Sequence, residues 1–119
     1  MIKEDKDLKA RRDVLLRARD KMNDSGRHWV KGFYKTFTKG KVEGEACYCA
    51  VGAIKASTRN KLLRESAYED LIMFGGINSQ LFSSVFHDNE RKIINWNDDW
   101  NRTWEEIDSA FRKAAKDLV

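Results

Sequence analysis

Apolar residues recur at helical spacing along much of the chain, which predicts a mainly α-helical protein. Near the N-terminus this stripe is narrow, and the charged residues between its members, such as Arg11, Arg12 and Arg19, are expected to face water. The pattern predicts a helix from about Asp5 to Asn23, followed by Gly26 in a left-handed conformation. The apolar members of the stripe are Leu8, Val14, Leu15, Ala18 and Met22.

Two further helices are predicted to form the centre of the protein. The segment Cys49–Ala56 is small and apolar on nearly all sides, which is typical of a short buried helix, and Gly52 within it permits close approach of a neighbour. Thr103 and Glu106 form a capping box that starts the clearest amphipathic helix. The apolar positions of that helix are Trp104, Ile107, Phe111, Ala114 and Leu118.

The region between these helices holds weaker helical signals. A second capping box over residues 66–69 predicts a helix that stops at Gly75 and Gly76, and residues 61–63 belong either to this helix or to a separate turn. Short helical segments are predicted over residues 81–86 and 90–95. Residues 95–101 are polar and predict a turn that carries two tryptophans.

One segment has a different pattern. Residues 28–38 are rich in β-branched and aromatic residues and predict a strand, with a turn near Gly40 and Gly44 and a returning strand over residues 45–48. Basic residues also recur every fourth position here, which favours a helix instead, but Gly32 and two threonines favour the strand. The expected fold is therefore mainly α, a compact helical domain with one small β-hairpin. A charged N-terminal helix, 1–26, docks on a single core domain, 27–119.

Composition narrows the class of protein. The 119 residues suffice for one domain, and 41% of them are apolar. No apolar run reaches transmembrane length and the first residues lack a signal-peptide core, so we expect a cytoplasmic protein without a membrane partner. Thiols stay reduced in the cytoplasm, so Cys47 and Cys49 are not expected to form a disulfide. The net charge is +4, and residues 27–42 hold five basic residues and no acidic one.

Several short motifs resemble those of a small uncharacterised domain family found in actinobacteria and bacteriophages. The resemblance covers residues 29–115, and the chain departs from it in the charged N-terminal helix, in Cys47 and in the lysine-rich hairpin. It implies a domain without an established function and is compatible with phage origin. The motifs are Trp29-Val30-Lys31-Gly32, Cys49-Ala50-Val51-Gly52-Ala53-Ile54, Trp96-Asn97-Asp98 and Arg102-Thr103-Trp104-Glu105-Glu106.

The basic hairpin is the first candidate for binding. If residues 27–39 are extended, cations and aromatic rings alternate on one face, which suits either a protein interface or single-stranded nucleic acid. The structural alternative, which we favour, is that Trp29, Phe33 and Phe37 face the core while the lysine stems reach outward. The candidate partner-binding residues are Arg27, Trp29, Lys31, Phe33, Lys35, Lys39 and Lys41.

Catalysis is a weaker hypothesis. At a helix N-terminus the thiol of Cys49 would have a lowered pKa, and His28 or His87 could act as its base with Asp98 as an orienting group. The small apolar neighbours of Cys49 favour a packed core residue instead. Cys47 and Cys49 are too closely spaced for a structural zinc site, so no metal and no cofactor are predicted.

The turn near the second and third tryptophans is a candidate pocket. Its aromatic rings could form walls and its polar side chains could supply contacts, although local packing and backbone hydrogen bonding explain the same residues. The residues concerned are Trp96, Asn97, Asp98, Trp100 and Arg102. We therefore expect a non-enzymatic binding protein that engages and modulates a host protein or nucleoprotein complex. A Cys49-dependent enzyme and a single-stranded nucleic-acid binder remain the alternatives.

Overall fold

The computed structural model describes residues 2–77 and 88–118, with side chains from residue 7 onward. Within these ranges five helices and one two-stranded sheet are present, which confirms the mainly α fold with a small β-hairpin. The helical segment predicted over residues 81–86, and His87, lie outside the described residues. The elements are α1 (Ile2–Met22), β1 (Lys35–Thr36), β2 (Cys47–Tyr48), α2 (Ala50–Ser57), α3 (Lys61–Phe74), α4 (Asn89–Asp98) and α5 (Trp104–Asp117).

The core lies where α1 packs against α2 and α5, with α3 and α4 closing the other side. Its apolar residues form one continuous cluster that draws on each of these helices. α2 is buried along most of its length, as its apolar sequence predicts. The capping box of α5 is also confirmed, since the Thr103 hydroxyl accepts from the Glu106 amide and the Glu106 carboxylate accepts from the Thr103 amide.

α1 docks on the core through the predicted stripe, and Val14, Leu15, Ala18 and Met22 are buried. Gly26, which follows the helix, has φ +81° and packs against the Trp104 ring. These contacts make α1 part of the packed structure.

The prediction that the α1 arginines face water is wrong for three of them. The Arg11 guanidinium donates two hydrogen bonds to Asp70 on α3, at 3.0 and 2.6 Å. Arg19 pairs with Asp108 on α5. Arg12 donates to backbone carbonyls at the end of α5. The sequence spacing identified the apolar face of α1, but the flanking arginines reach over it to acceptors on other helices.

The hairpin is much shorter than predicted. β1 and β2 pair antiparallel over two residues each, with Lys35 opposite Tyr48 and Thr36 opposite Cys47. Residues 28–38 do not form one strand, because Gly32 has φ +85° and turns the chain away from an extended course. Before this turn the chain forms a separate parallel bridge between Trp29 and Tyr48.

Two helix boundaries also differ from the sequence-based expectation. α3 begins after Asn60, whose side chain accepts from the Leu63 amide, so the capping-box pattern at 66–69 lies inside the helix. α4 continues to Asp98, so the predicted turn at 95–98 is helical. Asparagine and aspartate favour turns, but buried contacts made by Trp96 and Asn97 keep this segment helical.

Candidate functional site

Three of the five basic residues of segment 27–41 line a groove instead of sharing one face of a strand. We call it the lysine groove. Its volume is about 420 Å³, and three lysines line it together with Trp29. The lining residues are Trp29, Val30, Lys31, Lys39, Gly40 and Lys41. Lys35, one of the predicted binding residues, lies on β1 and is exposed outside this lining.

The lysines near the groove lack acidic partners within the described residues. No carboxylate in residues 7–77 or 88–118 lies within 4 Å of Lys31, Lys35, Lys39 or Lys41. By contrast, Arg27 at the start of the segment pairs with Asp24 at 3.5 Å. The groove therefore gathers positive charge that this part of the molecule does not neutralise.

The aromatic residues of the segment do not share one face. Trp29 is only 8% exposed, whereas Phe33 and Phe37 are 45% and 50% exposed. The alternation of cations and rings on a single extended surface is therefore wrong. The alternative, in which all three rings face the core, holds for Trp29 alone.

Lysine ammonium groups cover one face of several rings in this region. Lys31 lies 5.6 Å from the centroid of the Trp29 ring, and Lys35 lies 5.2 Å from that of Phe37 and 5.8 Å from that of Tyr48. Such cation–π contacts hold both the rings and the ammonium groups in place. They leave less open ring surface for an aromatic ligand than the sequence suggests.

Asn97 connects the three motifs that the sequence places far apart. Its Oδ1 accepts from the indole of Trp29 at 2.8 Å and from the backbone amide of Ala50 at 2.9 Å. Its Nδ2 donates to the Val30 carbonyl at 3.2 Å and to Asp98 at 2.9 Å. Asn97 is thus a buried, fully bonded residue, which agrees with the structural alternative for this turn and not with its role as a candidate pocket contact.

Asp98 and Gly52 hold the loop that follows Trp29. The Asp98 carboxylate accepts from the Gly32 amide at 3.0 Å. At the other end of the loop, the carbonyl of Tyr34 packs so closely on Gly52 that a Cβ there would overlap it. The neighbour predicted to approach Gly52 closely is therefore this loop.

The predicted pocket near the tryptophans does not form as one unit. Trp96 is buried, whereas Trp100 is 86% exposed on the turn between α4 and α5. Arg102 stacks over the Trp96 ring at 4.8 Å and donates to the Trp96 carbonyl and to Glu106. Of the five residues, Asp98 instead lines a small cleft with Gly32, Phe33, Tyr34, Cys49, Arg91 and Ile94.

Cys49 caps α2 and is only 3% exposed at this cleft. Its sulfur accepts from the Gly52 amide at 3.3 Å, but burial outweighs this bond and raises the pKa of the thiol. This is opposite to the lowered pKa that nucleophilic catalysis requires. The expected effect of the helix N-terminus is therefore wrong in direction.

The histidines do not complete a catalytic arrangement among the described residues. The His28 ring lies 3.4 Å from the Asn23 carbonyl and 3.3 Å from the Glu45 carboxylate. The thiol of Cys47 is buried and points to backbone carbonyls of Arg27 and Glu45. No cluster of three or more potential metal ligands occurs within the described part of the chain.

The fold and these surfaces define a small α-helical domain with a buried polar network and a cationic groove. The chain belongs to DUF6197, a family of unknown function whose model matches residues 8–117. The match includes most of α1, so it extends beyond the 29–115 range of the resemblance seen in the sequence. No curated protein and no solved structure matches the chain. None of the described helices is long and apolar enough to cross a membrane.

Sequence reasoning missed two features of this region. It did not identify the loop 32–34 as a packed element, because the contact with Gly52 spans residues that are distant in sequence. It also did not identify Lys31 as a partner of the α4–α5 turn, where its ammonium donates to the Trp100 carbonyl at 3.0 Å. The only sequence signal for either feature is Gly52 itself, a glycine in a helix.

Proposed function

We propose that this is a non-enzymatic binding protein that recognises an acidic surface of a partner protein through the lysine groove. The observation that carries this proposal is that Lys31, Lys39 and Lys41 line one groove and have no acidic partner within the described residues. Charge concentrated in a concave surface attracts groups of opposite charge and steers association. If the chain is encoded by a phage, with which the resemblance is compatible, the partner is a host protein or nucleoprotein complex whose action it modulates in the cytoplasm.

The contrast with other basic residues supports a binding role for these lysines. Arg11, Arg19 and Lys55 each pair with a carboxylate on another element. Those residues join helices, and carboxylates within the fold neutralise their charges. Within the part of the chain that the structure describes, the groove lysines have no such pair, which leaves their charge to act on a partner.

The state of the aromatic rings favours a protein partner over single-stranded nucleic acid. Nucleic-acid platforms stack successive bases on open rings. Here Trp29 is buried, and ammonium groups lie over faces of Trp29, Phe37 and Tyr48, whereas the open rings of Phe33 and Trp100 belong to separate loops. Acidic side chains need only the ammonium groups, which the groove presents.

The test compares two triple variants of equal charge change. Lys31, Lys39 and Lys41 are each replaced by glutamate in the first variant. In the control, Lys21, Lys61 and Lys116 are replaced by glutamate; these are exposed on α1, α3 and α5 and have no described acidic partner. Binding of a short poly-glutamate peptide and of a single-stranded oligonucleotide of equal charge is measured by fluorescence anisotropy at several salt concentrations.

We expect wild type to bind the peptide more tightly than the oligonucleotide, and the groove variant to weaken peptide binding at least tenfold more than the control variant. Clustered lysines act together, whereas dispersed ones contribute only to net charge. Equal losses in the two variants would show a non-specific effect of charge and refute the groove. Tighter binding of the oligonucleotide would replace this proposal with the nucleic-acid function.

A further inference from the structure

Trp100 is unusual among the tryptophans of this protein. Its side chain is 86% exposed, whereas Trp29, Trp96 and Trp104 are each 9% exposed or less. Tryptophan is largely buried in most folded proteins, because its ring carries a large apolar surface. The fold therefore gains little from the Trp100 ring, and its exposure calls for another explanation.

The turn that presents Trp100 is held on both sides. The Asp99 side chain accepts from the Asn101 amide at 3.0 Å, and the Asp99 carbonyl accepts from the Arg102 amide at 2.9 Å. Arg102 is fixed in turn by its contacts with Trp96 and Glu106. Because the backbone is already ordered, a partner that binds the indole loses little entropy in ordering this turn.

Trp100 also adjoins the lysine groove. The ammonium of Lys31, one of the groove lysines, donates to the Trp100 carbonyl at 3.0 Å. An exposed aromatic ring near lysines that have no acidic partner within the described residues is the composition expected of a binding hot spot with a polar surround. Lys31 therefore links the lysine groove to the turn that carries Trp100.

From this arrangement we infer that the partner is a folded acidic protein with an apolar pocket, bordered by carboxylates, that accepts the Trp100 indole. The inference rests on the proposed function of the lysine groove. To the acidic surface already proposed for the partner, it adds an apolar pocket. An unstructured acidic segment would satisfy the lysines but would leave the indole in water. A folded surface that carries apolar side chains between its carboxylates buries the ring as well.

The test uses two acidic helical peptides that differ only on one face. One carries leucines on that face, and the other carries serines at the same positions. Binding to wild type, Trp100→Ser and the control Leu62→Ser is measured by anisotropy of a label on the peptide. Leu62 is a suitable control because it is 78% exposed on α3 and also loses an apolar side chain.

We expect wild type and Leu62→Ser to bind the leucine peptide about tenfold more tightly than the serine peptide, as for an aromatic hot spot. Trp100→Ser should bind both peptides equally and retain the affinity of wild type for the serine peptide. A second readout is acrylamide quenching of tryptophan fluorescence in wild type. The leucine peptide should protect the exposed indole, whereas the serine peptide should not.

The possible failures are distinguishable. If the serine peptide does not bind wild type, the lysine groove is refuted as an acid-recognition site. If it binds but the leucine peptide gains nothing through Trp100, the inferred pocket alone is refuted. Stronger protection of Trp100 by a single-stranded oligonucleotide overturns the protein partner. Concentration-dependent dimerisation that Trp100→Ser abolishes, measured by sedimentation, would instead assign the indole to a second copy of the chain.

Discussion

At position 97 a single side-chain amide makes four hydrogen bonds to three separate parts of the chain. Its oxygen accepts hydrogen bonds from Trp29 and from the first residue of α2, and its nitrogen donates to Val30 and Asp98. Because Asn97 is fully buried, water cannot replace these bonds if the amide is removed. The position of the loop beside the lysine groove therefore depends on this residue.

We expect Asn97→Ala to lower the free energy of unfolding by about 2–6 kcal/mol, since two buried N–H groups lose their acceptor at about 1–3 kcal/mol each. The measurement is urea denaturation followed by circular dichroism. Asn101→Ala, an exposed control on the next turn, should change stability by less than about 0.5 kcal/mol. Similar midpoints for the two variants would show that the network does not support the fold.

Cys49 allows a test of the catalytic alternative. Burial raises the pKa of its thiol, so native protein should react with a disulfide reagent near neutral pH at least about tenfold more slowly than a free thiol. The experiment uses a Cys47→Ser background, with urea-unfolded protein as the positive control. Reaction as fast as that of glutathione would restore Cys49 as a candidate nucleophile.

The raised pKa of the Cys49 thiol also makes the stability of the fold depend on pH. A group whose pKa is raised in the folded state favours folding below its unfolded pKa, and this contribution is lost as pH rises. Stability should therefore decline as pH increases through the ordinary range of a cysteine thiol. Comparison with Cys49→Ser isolates this contribution, since the serine does not titrate there; an identical decline in both proteins would contradict it.

At the scale of the elements, α1 is fixed by polar contacts that its amphipathic pattern does not reveal. Asp70 on α3 is almost completely buried and receives both hydrogen bonds from Arg11. This bond raises the pKa of Arg11, although burial opposes the rise. The pair therefore joins α1 to α3 where few apolar contacts are available at the N-terminal end of the stripe.

A double-mutant cycle with Arg11→Met and Asp70→Asn should give a coupling free energy of about 1–3 kcal/mol, because the pair is bidentate and partly shielded from water. The matched control is the exposed pair Lys9 and Asp13 in α1, changed to methionine and asparagine. Its coupling should be below about 0.5 kcal/mol. Equal coupling in the two cycles would show that burial adds nothing to the α1–α3 pair.

At the scale of the whole molecule, some basic residues hold the helices together and others contribute positive charge to the surface. The arginines of α1 bind acceptors on α3 and α5 and hold the helices together. The lysines of segment 27–41 have no acidic partner within the described residues, and one of them, Lys31, contacts the turn that carries the exposed Trp100. A net charge of +4 therefore understates how strongly one side of the protein can attract an acidic surface.

Local patterns were sufficient to predict most of the helices. The apolar stripe of α1, the small residues of α2 and the capping box of α5 each depend on residues within a few positions of one another. Helical periodicity and capping are short-range effects, so they can be recognised in the sequence without knowledge of the fold. The predictions failed where tertiary contacts outweighed local preference, as in the strand over residues 28–38 and the turn over residues 95–98.

Those failures concern the residues that define the candidate site. Whether Trp29 faces the core and Trp100 faces water is not encoded in their immediate neighbours, because both lie in polar, aromatic-rich segments. Long-range contacts fix this arrangement. Asn97 on α4 bonds Trp29 from 68 positions away, and Gly52 lets loop 32–34 pack on α2. Residue types thus set the helices and the total charge, whereas long-range packing fixed the loop at the lysine groove and brought Lys31 to the turn that carries Trp100.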